Sequence, residues 1–129
     1  MTKRKRDPLP FDKRGGVVML MVRMITSASY EGLSTPAKAL VPFLQLHWRN
    51  DKPVDYGVRE AQRRLKCSKA TAIAVFHELQ SAGFIELIDE SLFSSRTQSK
   101  ARTWRLTWLP FDGKPPTNDW EKIKSTGPF

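Results

Sequence analysis

The sequence is poor in the residues that build metal, disulfide and nucleophilic sites. Cys67 is the only cysteine, and His47 and His77 are the only histidines. A single cysteine excludes an internal disulfide and a cysteine-rich zinc site, and it suits a reducing compartment. The two distant histidines have no carboxylates at zinc-ligand spacing. There is also no phosphate-binding glycine loop and no glycine-flanked nucleophilic serine. We therefore predict no enzyme activity, no metal, no cofactor and no small-molecule substrate.

Long hydrophobic runs are absent as well. The chain has no stretch of 18 apolar residues, so the sequence predicts no membrane span. Residues 1–6 carry the charge of a secretory signal, but the apolar run Val17–Met24 comes late and contains Arg23. It ends in a polar stretch with no clear cleavage site. We therefore expect a cytoplasmic protein.

Acidic residues are outnumbered by basic ones. The 129 residues include 22 Lys plus Arg against 13 Asp plus Glu, a formal net charge of +9. That balance favours an anionic partner, which is DNA, RNA or a membrane surface. Apolar residues make up 40% of the chain, enough for the core of one domain.

The ends of the chain differ from its middle in composition. Residues 1–15 predict a flexible basic arm, which is either a solvated tail or an arm that follows phosphates or enters a groove. Residues 16–109 predict one folded domain, and 110–129 an extended C-terminal tail that Trp120 pins back. The run Val17–Val22 predicts a buried strand, with a helix as the alternative.

Three helices are predicted ahead of the β-rich part. One or two turns cover Ala28–Leu33. Ser34-Thr35-Pro36 is typical of a helix start, and the apolar face that follows predicts a helix to about Arg49, kinked at Pro42. Gly57 precedes a predicted helix over Val58–Leu65.

Residues 55–108 have the order short helix, tight turn, longer helix, strand, basic loop, strand. Ser68 caps a predicted helix over Lys69–Ala82, and Gly83 suits its end. Trp104, Leu106 and Trp108 then alternate with polar residues, the pattern of an amphipathic strand. A three-residue turn between two amphipathic helices is helix-turn-helix spacing, and the strand pair after it is a wing. The predicted class is α+β, a winged helix-turn-helix that is mainly helical with a two- or three-stranded antiparallel wing sheet.

Such a domain fits duplex DNA. The second helix would lie in the major groove, and the wing, residues 90–102, would lie on the backbone. From Ser91 to Phe111 there are four basic residues and no acidic one. The residues predicted to face bases are Ser68, Lys69, Thr71, Ile73, His77 and Gln80, and those predicted to face phosphates are Arg59, Arg63, Arg96, Lys100 and Arg102.

Two other functions stay open at this point. The exposed face of the second helix is poor in Arg, Asn and Gln, so Ala70, Ile73 and Ala74 could instead form a protein-binding patch. The basic arm and tail could also bind RNA.

The remaining features have ordinary interpretations. We expect Trp104 and Trp108 in the core rather than in a stacking platform.

Cys67 is expected to be half-buried, with a redox sensor as the alternative. His47 is expected to be packed or at the surface, and His77 solvated. The pair Asp89-Glu90 suits a strand end better than a two-metal site.

The run VREAQRRLKCSKATAIAVFHELQSAGFIEL, the later ARTWRLTWLPFDG and the earlier MITSASYEGLSTPAKALVPFL together resemble small winged helix-turn-helix proteins of bacterial and mobile-element origin. These include transcription regulators and the DNA-binding modules of replication initiators. The resemblance covers about residues 16–113. It implies a DNA-binding fold with residues 68–82 as the recognition helix and residues 85–106 as the wing. It also implies a homodimer or larger assembly as a possible working state. We therefore expect a role in transcription or replication and a nucleoid-associated location.

Overall fold

The computed structural model describes residue 12 and residues 14–92 and 100–122, with only the backbone described at 89–92, 100 and 101. Within these ranges the chain has six helices and one three-stranded antiparallel sheet, which confirms the predicted α+β class. In chain order the elements are α1 (Val22–Ile25), α2 (Ala28–Glu31), α3 (Thr35–Gln45), β1 (Val54–Asp55), α4 (Val58–Leu65), α5 (Lys69–Ser81), β2 (Ile85–Leu92), β3 (Lys100–Leu106) and α6 (Asp119–Lys122).

Helix α3 begins where the sequence predicts and tolerates its internal proline. The Ser34 hydroxyl accepts a hydrogen bond from the Ala37 N–H at 3.3 Å and caps the helix. Pro42 has no N–H to give to the Lys38 carbonyl four residues earlier. The Tyr30 hydroxyl donates to that carbonyl at 3.1 Å instead. The helix ends at Gln45, earlier than the predicted Arg49.

The predicted pair α4–α5 is confirmed with nearly the predicted bounds. Lys66 ends α4 in the left-handed region, with φ 52° and ψ 53°. Ser68 caps α5, and its hydroxyl accepts from the Thr71 N–H at 3.1 Å. Ala61 and Ala72 are both fully buried, so the two helices meet through small side chains.

The sheet has the order β1-β3-β2, with β3 in the centre. Trp104 pairs with Val54 of β1 on one side and with Leu87 of β2 on the other. The register shifts between Leu87 and Asp89, which is a β-bulge. The predicted alternation is confirmed for residues 103–106, because Trp104 and Leu106 are buried between the half-buried Thr103 and Arg105. It is wrong beyond them: β3 ends at Leu106, and Thr107, predicted on the polar side, is buried and donates its hydroxyl to the Gly83 carbonyl at 2.6 Å.

The buried strand predicted for Val17–Val22 is wrong. These residues form no strand, and α1 begins at Val22. Met19 is 75% exposed and Val22 72% exposed. No strand of the described residues lies beside the segment, and an apolar run becomes a strand only where a neighbour takes its backbone hydrogen bonds.

The segment after β3 is held on the domain by Trp120, as predicted. The Trp120 ring is buried and stacks on Phe84 with centroids 6.2 Å apart. Its carbonyl accepts from the Ser29 hydroxyl at 2.7 Å. Gly83 has φ +85°, and a Cβ there would lie 2.7 Å from the Asp119 carbonyl. The backbone of α6 therefore packs directly on the end of α5.

Candidate nucleic-acid interface

Four basic side chains are exposed along α4, in the turn that follows it and at the start of α5. We call this group the basic corner, and it consists of Arg59, Arg63, Lys66 and Lys69. Arg59 and Arg63 are one turn apart on α4, so they lie on the same side of the helix. Lys66 and Lys69 flank the N-terminus of α5. None of the four forms an ion pair or a side-chain hydrogen bond within the part of the chain that the structure describes.

Both carboxylates of the helix pair are turned toward α3. Glu60 lies 2.8 Å from Nε2 of His47, just after α3. Glu78 accepts from the backbone N–H and from the hydroxyl of Ser34, each at 2.6 Å. Since these bonds hold the negative groups on the α3 side, they leave the basic corner uncompensated.

The outward face of α5 is shallow and weakly polar. Its centre, opposite the buried Ala72 and Leu79, is formed by Ala70, Ala74, His77 and Ser81, all exposed. By helical spacing, Lys69, Ile73 and Gln80 share one flank of this face, and Thr71 lies on the other flank with Glu78. Lys69, His77 and Gln80 are exposed, whereas Thr71 and Ile73 are half-buried.

The N-terminus of α5 has free backbone donors. The Ser68 hydroxyl accepts from the Thr71 N–H and lies 3.0 Å from the Thr71 hydroxyl. The first turn contains no acidic residue. The N–H groups of Lys69 and Ala70 therefore point outward at the positive end of the helix, where an anion is stabilised. Ser68 and Thr71, predicted to face bases, bond to each other and serve the cap.

The residues predicted to face phosphates divide into two groups. Arg59 and Arg63 belong to the basic corner. Arg102 is half-buried on β3 and already takes part in other interactions. Arg96 lies outside the described residues, and Lys100 is described only by its backbone, at the start of β3.

Sequence reasoning missed one member of the corner. Lys66 lies in the predicted three-residue turn and is not among the residues predicted to contact DNA, yet its side chain is exposed beside the start of α5. The signal was the spacing Arg63-x-x-Lys66-x-x-Lys69, which gives one basic residue every three positions. Arg64 points elsewhere, because its guanidinium lies 5.5 Å from the centre of the Phe43 ring on α3.

Several side chains that could take part in binding or chemistry are instead buried within the fold. Trp104 and Trp108 are buried, as predicted, and their indole N–H groups donate to the Tyr56 carbonyl at 3.2 Å and to Gln45 Oε1 at 2.9 Å. Cys67 is half-buried, as predicted. Among the side chains that the structure describes, no group of three or more His, Cys, Asp and Glu could hold a metal ion. The side chains of Asp89 and Glu90 lie outside the described part.

A buried phenol lies close to the His47–Glu60 pair. The Tyr56 ring meets His47 edge-on at 5.4 Å, and its hydroxyl is buried with no hydrogen-bond partner in the described structure. Burial, with the nearby Glu60 carboxylate as a smaller cause, raises the pKa of Tyr56 to about 12. The phenol therefore stays neutral near pH 7, and it adds no charge beneath the corner.

Comparison of the chain with protein-family models, with curated proteins and with solved structures finds no match. In the ranges that the structure describes, none of the helices is long and apolar enough to cross a membrane.

Proposed function

We propose that the chain is a double-stranded DNA-binding protein with a winged helix-turn-helix fold. The observation that carries the proposal is the separation of charge on α4–α5. The basic corner is exposed and unpaired, whereas Glu60 and Glu78 are bonded toward α3. A phosphate backbone is the ligand that such a surface attracts.

The order of the elements supports the winged helix. The chain runs α3, β1, α4, α5, β2, β3, and the short β1 pairs with the β2–β3 hairpin. A helix pair is thereby followed by two paired strands in one sheet, the order of elements in proteins whose second helix enters the major groove and whose strand pair meets the flanking DNA backbone.

In the proposed complex, α5 is the recognition helix. Its open N–H groups and Lys69 approach the groove first, and His77 and Gln80 face the bases further along. Ala70 and Ala74 at the centre of the face can contact thymine methyl groups but make no hydrogen bond. We therefore expect strong binding to any duplex and modest preference among sequences.

Phosphate contacts come from two places. One stretch of the DNA backbone is bound by the basic residues of α4 and the turn, Arg59, Arg63 and Lys66. The basic wing, residues 90–102, holds a second stretch through Arg96, Lys100 and Arg102. Nothing in the proposed complex requires chemistry on DNA, so the role is regulatory, in transcription or replication, in the cytoplasm on the nucleoid.

The test uses fluorescence anisotropy to measure the affinity of the purified chain for a random 25-base-pair DNA duplex at a series of salt concentrations. Each phosphate contact contributes roughly one unit to the slope of log affinity against log salt. We expect Arg63→Ala and Lys66→Ala each to reduce the slope by about one unit and to weaken binding to all sequences alike.

Lys114→Ala is the matched control, because Lys114 is exposed on the segment after β3 and outside the corner. It removes the same charge from the net +9. Equal losses for Lys114→Ala and Lys66→Ala would mean that only net charge matters, and would remove the basic corner from the proposal. Competition by single-stranded or duplex RNA but not by duplex DNA would favour the RNA-binding alternative.

A protein-binding module is the second candidate, favoured by the small apolar centre of the α5 face. Ala70 and Ala74 are exposed, and no long polar side chain lies between them. A partner bound there would stay bound in high salt, because apolar contact is not screened. Absence of any DNA binding at low salt would select this candidate.

A further inference from the structure

His77 is the one side chain that titrates near neutral pH at the centre of the outward face of α5. That centre runs from Ala70 through Ala74 and His77 to Ser81, and all four residues are exposed. We call these four residues the central stripe. The imidazole extends further from the helix than the two alanine methyl groups and the serine hydroxyl. A ligand that lies along the stripe therefore comes close to the His77 ring.

The His77 ring is unpartnered in the free chain. Among the described residues it forms no ion pair and no side-chain hydrogen bond. Glu78, the next residue in the chain, is half-buried and accepts two hydrogen bonds from Ser34 instead. Lys69 is eight residues earlier, about 12 Å away along the helix axis. A positive charge on the His77 ring would thus be uncompensated until a ligand supplies an anion.

The described carboxylates of the elements that pack on α5 are also held elsewhere. Glu60 of α4 is bonded toward α3, and α3 itself contains no acidic residue. Glu86 of β2 lies on the face of the sheet that points away from α5. Asp119 of α6 is paired with Lys122 at 3.2 Å. The cations of the helices that pack on α5 are Lys38 of α3 and Arg59, Arg63 and Arg64 of α4.

Histidine differs from the other polar residues of this face because its charge changes between about pH 5 and pH 8. A neutral imidazole has one N–H donor and one acceptor nitrogen, whereas a protonated one donates from both nitrogens. An anion beside the ring favours the protonated form. Duplex DNA is such an anion, with one negative charge per about 1.7 Å of its axis. Binding of DNA and binding of a proton therefore strengthen each other.

We propose that His77 takes up a proton from solvent when α5 enters the major groove, so that the chain binds duplex DNA more tightly at pH 6 than at pH 8. This inference rests on the proposed function. The protonated ring donates to an acceptor on a base edge, such as O6 or N7 of guanine. The other histidine, His47, is not part of this response, because its ring is already bonded to Glu60 in the free chain.

The first test measures the affinity for the random 25-base-pair duplex by fluorescence anisotropy at pH 6 and at pH 8, at constant ionic strength. We expect the parent chain to bind roughly three- to tenfold more tightly at pH 6. His77→Gln should lose most of this ratio. His77→Lys should bind almost equally at both pH values, because an ammonium group keeps its charge throughout this range.

His47→Gln is the matched control. Its amide keeps a donor for Glu60 and removes the only other histidine of the chain, so the ratio of the parent should persist. Circular dichroism at both pH values checks that all four chains are folded. Full pH dependence in His77→Gln, or its loss in His47→Gln, would overturn the assignment to His77.

The second test counts protons by titration calorimetry with the same duplex at pH 7, in buffers that differ in their enthalpy of ionisation. The parent should take up a fraction of one proton for each chain bound, and His77→Gln should take up clearly less. Equal affinity of the parent at both pH values, with no proton uptake, would overturn this inference and leave the proposed function standing. A parent chain that binds DNA at neither pH would overturn both.

Discussion

The sequence predicts a strand in two stretches of this chain, yet only one of them becomes a strand. Residues 103–106 form the centre of the sheet, and Trp104 there is 3% exposed. The stretch Val17–Val22 is more apolar and also contains β-branched residues, but Met19 is 75% exposed. Local preference therefore does not separate the two stretches.

The difference lies in the neighbours. β3 has β1 on one side and β2 on the other, and Trp104 stacks on Phe76 of α5 with ring centroids 5.3 Å apart. Within the described residues, no strand pairs with the stretch before α1, which contacts the domain through the half-buried Leu20 and the bond from Gln45 to the Met19 carbonyl. A strand is a property of a pair, because each backbone bond needs a group on another strand.

Truncation of one large side chain in each stretch should give the largest contrast. Trp104→Ala removes a stacked, buried indole and the hydrogen bond to the Tyr56 carbonyl, and we expect a loss of about 3–5 kcal/mol in the free energy of unfolding. Met19→Ala should change it by less than about 0.5 kcal/mol. Urea unfolding measures both losses. A Met19 loss close to that of Trp104 would show that the two stretches are equally part of the core.

A methyl group at Gly83 should have the next largest effect. Gly83→Ala adds a left-handed strain at φ +85° and a Cβ 2.7 Å from the Asp119 backbone, and we expect a loss of about 2–4 kcal/mol. Gly15 has φ +82° but nothing within 4 Å of its Cβ position. Gly15→Ala therefore measures the backbone strain alone, and we expect about 1 kcal/mol or less. Equal losses would mean that α6 does not press on Gly83 in solution.

The smallest effects concern two tyrosine hydroxyls near the two ends of α3. Tyr30→Phe removes the donor to the Lys38 carbonyl that Pro42 leaves open, and should cost about 1 kcal/mol. Tyr56→Phe removes a buried hydroxyl with no partner, and should be neutral or stabilise by up to about 1 kcal/mol. The same Tyr→Phe substitution should therefore lower the free energy of unfolding at position 30 and leave it unchanged or raise it at position 56. A clear loss for Tyr56→Phe would reveal a hydrogen bond to that hydroxyl.

The raised pKa of Tyr56 should make the stability of the fold depend on pH in the alkaline range. The pKa of Tyr56 is raised from 10.0 to about 12 in the folded chain, so folding favours the neutral phenol. The contribution of the neutral Tyr56 phenol to the free energy of unfolding is fully present below pH 10 and is lost as the pH rises toward 12. The thermal midpoint should fall less steeply over that range in Tyr56→Phe than in the parent.

Much of the fold follows from short-range patterns. The cap at Ser34, the apolar face of α3, the helices α4 and α5 with the turn between them, and the alternation around Trp104 all lie where the sequence predicts. Each depends on helical or strand periodicity and on capping chemistry within a few residues. The end of α3 at Gln45 is less predictable, because Trp48 bonds across the fold to the Pro110 carbonyl at 3.0 Å.

The candidate site is predictable in position but not in detail. Helical spacing places Lys69, His77 and Gln80 on the open side of α5, and the structure leaves all three exposed. Helical spacing alone could not show that Thr71 lies on the flank of α5 nearer α3, or that Lys66 belongs to the basic corner. Nor could it show that Glu60 and Glu78 bond to residues distant in the chain, at His47 and Ser34.

The sequence by itself determined the helix pair, its caps, the central strand and the excess of positive charge, because these depend on side chains close together in the chain. Tertiary structure alone decided which apolar stretch was buried and which charges were neutralised. Burial needs a partner surface, and neutralisation needs an opposite charge or a hydrogen-bond partner within reach. Both depend on residues that lie tens of positions apart and meet only in the fold.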